Sequence, residues 1–172
     1  SFQVRNESDN GQRIQFLSKI PGKDLVIGAH YICMQMFKVD LKTKVCVSSM
    51  EKISSYGGQV DCGTYLNQIF YPASYTKAVV YAMKPEEPFQ YGQNPHMIGE
   101  IGERQYRPVS MVNDGRYIYI ATKSEYGTVE GALTVFDPET EQMEVYKDFV
   151  RDQNPTSLFY HKSTGYLVGT TQ

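Results

Sequence analysis

The chain has no tryptophan, only three cysteines and three histidines, and a formal net charge of −2. Its apolar runs are short. The longest is the six residues Ala78 to Met83, against the roughly 20 that a membrane-spanning helix needs. No membrane partner is expected on that ground. With no basic stripe and a near-neutral balance there is nothing to neutralise a phosphate backbone, so nucleic acid is not expected either. Cys33, Cys46 and Cys62 form no C-x-x-C pair, and no Cys/His cluster has zinc-site spacing. They read as buried or half-buried thiols, the alternative being one disulfide and one free thiol. Gly57-Gly58, and Gly99 with Gly102, fit no phosphate-loop spacing and open no helix. No cofactor is expected. The first residue is Ser1, and no charged-then-apolar leader segment is visible. Helical 3.6-residue periodicity is missing throughout.

What is present is tyrosine, 14 residues of it, with 41% hydrophobic and 21% charged residues overall. That is globular usage, enriched in residues that suit pleated, half-buried surfaces. Asn6-Glu7-Ser8 matches the glycosylation acceptor pattern, a short pattern that chance often supplies.

One pattern repeats. Short apolar runs end in a small residue at Gly28, Ala82, Ala121 and Gly169, which are 54, 39 and 48 positions apart. Such spacing matches the 40–50-residue period of a propeller blade. Around each run lie hairpin signals. Val109 to Val112 leads through Asn113-Asp114-Gly115-Arg116 into Tyr117 to Thr122, and Asp-Gly between alternating runs marks a tight turn. Phe16 to Ile20 with Pro21-Gly22, and Ser157 to Tyr160 with Thr164-Gly165, have the same form. In the second unit the first hairpin is read as Gln68 to Tyr71 paired with Ala78 to Met83. Third and fourth strands follow at Ala132 to Phe136 and Gln142 to Tyr146, and at Met36 to Asp40 and Val45 to Ser48.

The stretches "DGRYIYIAT" and "LTVFDPETEQMEVY" resemble the propeller repeats of the YVTN, streptogramin-lyase and quinoprotein-type families. The resemblance implies an all-β fold: a β-propeller of about three and a half four-stranded blades, read as a fragment of a larger propeller. The units run over about 12–50, 64–102 and 106–148, with a partial unit at 153–172. Phe2 to Arg5 offers an extra strand that could close the last blade. Open blade edges expose unpaired backbone, so self-association or another protein chain is the expected partner.

Ligands would meet such a molecule at the mouth of its central channel. Aligning the units places Asn67-Gln68, Arg107-Pro108 and Asn154-Pro155 there, where a guanidinium between two amides could hold an anion or a sugar. Tyr65, Tyr71 and Tyr106 lie close in sequence and could stack on a sugar ring, or pack between blades. His96 and His161 are the candidate bases that a lyase would need, though neither has an orienting carboxylate in view. His30, Cys33, Met34 and Met36 could suit a soft metal. Read as one extended strand they would span about 20 Å and fail to converge, so core packing is expected. Glu86-Glu87 and the acidic residues Glu139, Glu141 and Glu144 read as solvated turns. The chain therefore reads as a non-catalytic binding or scaffold module recognising a protein or carbohydrate. The alternative is part of a propeller lyase or hydrolase acting on a polysaccharide or cyclic substrate.

Overall fold

A computed structural model describes residues 13–49 and 51–172. The glycosylation pattern at Asn6 and the closing strand at Phe2 to Arg5 lie outside the described residues. Fourteen strands and no helix are found among those described. The first four are β1 (Ile14–Lys19), β2 (Leu25–His30), β3 (Met36–Asp40) and β4 (Cys46–Ser48). Then come β5 (Gln59–Leu66), β6 (Ile69–Tyr75), β7 (Val79–Ala82) and β8 (His96–Glu100). The third set is β9 (Gln105–Asn113), β10 (Ile118–Ser124), β11 (Ala132–Asp137) and β12 (Gln142–Lys147). A final pair is β13 (Pro155–His161) and β14 (Tyr166–Thr171). Each set of four is an antiparallel sheet in chain order, and β13–β14 is a two-stranded sheet.

Turn chemistry makes these sheets meanders. At the β9–β10 hairpin the Asp114 carboxylate accepts the amides of Arg116 and Tyr117, both at 2.7 Å, while Gly115 takes φ of 102°. A residue with no Cβ holds that conformation without strain. Asn67 and Gln68 both have positive φ (49° and 67°), as the tight primed turn between β5 and β6 demands.

The sheets pack face to face, with the first strands β1, β5, β9 and β13 neighbouring one another in that order. The described residues show no closed ring of sheets. Two apolar cores result. Ile27, Met36, Val60, Phe70, Val79 and Tyr81 fill the first, between the first two sheets. Tyr71, Ala73, Val80, Ala82, Ile120 and Phe136 fill the second, between the second and third. Successive residues of β6 and β7 alternate between the two cores, so the β5–β8 sheet is buried on both faces. That explains why Ala78 to Met83 is apolar at every position: a strand covered on both sides has no wet face to be polar on.

Two expectations change. The second sheet begins at Gln59, not at 64, and the segment taken as its first strand is the second, β6. The argument separating His30 from Met36 also changes. They are not at the two ends of one strand, since the chain turns back and the His30 amide donates to the Gln35 carbonyl at 3.0 Å. The pleat separates them instead. Ala29 pairs with Met36, so those two share one face, and His30 points to the other, 5.0 Å from the Phe37 ring. Among the described residues no group of three or more His, Cys, Asp or Glu side chains is placed to hold a metal ion. Cys33, Cys46 and Cys62 form no disulfide.

Candidate functional site

Every first strand carries a bulge near its start. One residue has no opposite number at Gln15 in β1, Asp61 in β5, Tyr106 in β9 and Thr156 in β13. A bulge re-aims the side chains around it. Here it turns Gln15 and Asp61 toward each other, and the Gln15 amide donates to Asp61 at 2.7 Å. Forty-six residues further along, Arg107 reaches the second Asp61 oxygen at 3.3 Å. Gln59 donates to the first oxygen at 2.7 Å. The Asp61 side chain is 5% exposed, and burial pushes its pKa up against the lowering effects of Gln59, Arg107 and Gln15. Three neighbouring sheets are thereby joined through one buried carboxylate.

Arg107, its side chain a third exposed, carries this line out to solvent. Its guanidinium lies 4.0 Å from the centre of the Tyr75 ring, a cation–π contact. Tyr75 meets Tyr106 edge-on at 5.2 Å, and Tyr106 meets Tyr126 edge-on at 5.9 Å. The Tyr75 and Tyr126 hydroxyls are 3.5 Å apart, at the outer limit of a hydrogen bond. Contact with Tyr75 and then with Arg107 lowers the Tyr126 pKa, while the same Tyr126 contact raises that of Tyr75. The Asn154 carboxamide oxygen accepts from the amide (3.2 Å) and hydroxyl (3.3 Å) of Ser124. These residues, with Lys123, Glu125, Gly127 and Thr128, line a pocket of about 160 Å³. That is below the usual range for drug-sized ligands and suits one ring.

Three of the five residues singled out in the sequence thus come together: Tyr106, Arg107 and Asn154 line this pocket. The other two do not. Asn67 sits in the β5–β6 turn, beyond the far end of β5 from Asp61 and so roughly 20 Å along the strand. His96 opens β8 and lines a separate pocket with Lys84, Glu87 and Asn94. Tyr71 is buried against Phe136, and Tyr65 packs on the first core. His161 ends β13 with its Nδ1 2.8 Å from the Thr164 hydroxyl. Tyr75, Tyr126 and Lys123 were not anticipated. They come from the end of β6, from the β10–β11 loop and from β10, elements that only the fold brings beside Arg107.

Comparison with known proteins adds little. No family model matches the chain, and no curated protein matches it. Among solved structures the chain is similar to the extracellular domain of a proposed one-component system from B. thetaiotaomicron. The TM-score is 0.45 at 12% identity, over 97% of this chain and 26% of that one. So the chain spans about a quarter of that structure's length.

Proposed function

We propose that this chain is a non-catalytic binding module, a segment of a β-propeller that holds a carbohydrate in the pocket around Arg107. The observation that carries the reading is the set of three tyrosines arranged edge-to-face around one stacked guanidinium, open to solvent beside the Asn154 amide. Tyrosine faces and edges offer a sugar ring apolar contact at small conformational cost, while guanidinium and amide N–H groups suit its hydroxyls. The propeller reading is supported by three consecutive four-stranded meanders whose first strands lie side by side. Self-association or contact with another protein chain belongs to the same proposal, and it is supported by the uncovered apolar residues of β13–β14.

The test is a titration of methyl glycosides monitored by amide shifts of the residues lining the pocket. Arg107→Ala and Tyr126→Ala are expected to weaken binding at least roughly tenfold, the loss of one charge-assisted or stacking contact. His96→Ala, which alters a different pocket, is expected to leave it unchanged. If no glycoside shifts these residues, or if His96→Ala is as damaging as Arg107→Ala, the reading is wrong.

A further inference from the structure

The charges around the pocket do not cancel, and the remainder specifies a ligand. Arg107 is matched by Asp61 behind it. Glu125, on the rim, is matched by Arg104. Glu130, nearby in sequence, is held by Lys147 at 2.8 Å. Lys123 stands directly across β9–β10 from Arg107 and lines the same pocket, half-buried. No carboxylate of the described residues forms an ion pair with it. A half-buried lysine with no carboxylate partner, beside a guanidinium already held in place, is a poor arrangement for a wholly neutral ligand. It is a good one for a carboxylate.

We propose that the pocket takes an acidic sugar, a uronate, with its carboxylate on Lys123 and its ring against the tyrosines. This rests on the carbohydrate reading above and adds its chemical class. Lys123 is then the residue that sets specificity, while Asp61 positions Arg107 without touching ligand. The arrangement also explains why Asp61 is buried and fully engaged. With both its oxygens occupied by Gln15, Gln59 and Arg107, it is held back from the pocket and presents no exposed negative charge to repel the ligand.

The experiment compares methyl glucuronide and methyl galacturonide with methyl glucoside and methyl galactoside, each titrated into the 172-residue chain. The uronates are expected to bind roughly tenfold or more tightly than their neutral counterparts, as one charge-assisted contact implies. Raising salt from about 0.05 to 0.5 M should weaken the uronates and spare the neutral sugars. Lys123→Gln should abolish the preference and leave neutral affinity in place, and Lys123→Arg should restore it. Neutral sugars bound as tightly as uronates, or a preference surviving Lys123→Gln, would overturn the acidic-sugar inference while leaving the carbohydrate reading intact. Binding of neither class at the pocket would overturn both.

Discussion

The β5–β8 sheet and the β13–β14 pair are built from similar residues and meet opposite fates. In the first, Phe70, Val79, Val80 and Ala73 are completely buried, with a core on either face. In the second, Phe159 is 61% exposed, Tyr166 69% and Val168 53%. Composition does not make the difference. Among the described residues one sheet has a neighbour on both sides and the other on only one. Apolar content in a strand therefore marks the capacity to be covered, and whether cover arrives depends on what stacks next.

The comparison is broken most sharply by truncating an aromatic in each sheet. Phe70→Ala is expected to lower stability by about 3–5 kcal/mol, because a fully buried ring leaves a cavity between rigid sheets. Phe159→Ala should change it by less than about 0.5 kcal/mol, as exposed positions do. Paired chemical denaturation curves measure both, and similar losses would mean that the last pair is covered after all. The next effect is at Asp61. Asp61→Ala strands the Gln15, Gln59 and Arg107 donors and should cost about 1–3 kcal/mol. Asp61→Asn should cost less, since burial of the charge already opposes ionisation there.

A smaller effect depends on pH. His30 is 4% exposed with its Nδ1 unpartnered, and burial lowers its pKa below the ordinary 6.5. The unfolded chain therefore takes up a proton that the folded chain resists. From His30, stability should be level above about pH 6.5 and fall as pH drops from there toward the folded-state value. His30→Leu should flatten that limb, as thermal melts across the range would reveal. Smallest of all is the effect of Val168→Lys on the open face of β14. Stability should barely move, but any concentration-dependent association seen by light scattering should diminish, because a charge on an open sheet discourages pairing. Unchanged association would place the contact elsewhere.

How much could be read beforehand varied by element. The hairpins around Asp114-Gly115 and Pro21-Gly22 were legible because turn chemistry and alternation agree there. β5 was not. Its residues, Gln59-Val60-Asp61-Cys62-Gly63-Thr64-Tyr65-Leu66, carry an Asp, a Gly and a bulge that interrupts the two-residue period. Missing it shifted the second unit by one strand and sent Asn67 to the wrong end. Arg107, Tyr106 and Asn154 were found because strand starts align across units even when strand interiors do not. Tyr75, Tyr126 and Lys123 gave no local signal. Their approach to Arg107 is a property of stacking, and Tyr was too abundant for any one to stand out.

The bulge at Asp61 also governs which core each part of its strand serves. Val60 packs into the first core, whereas Cys62 and Leu66 pack with the second. Residues two apart in an unbroken strand would point the same way. The supernumerary residue resets the phase, letting one strand hand side chains to both neighbours while its own carboxylate turns toward β1 and β9. Straightening that bulge, with Asp61 drawn into the ladder, would ask Val60 and Cys62 to share a side; deleting Asp61 outright would leave the two adjacent and still facing opposite cores, and would cost only the carboxylate that ties β1 and β9 to β5.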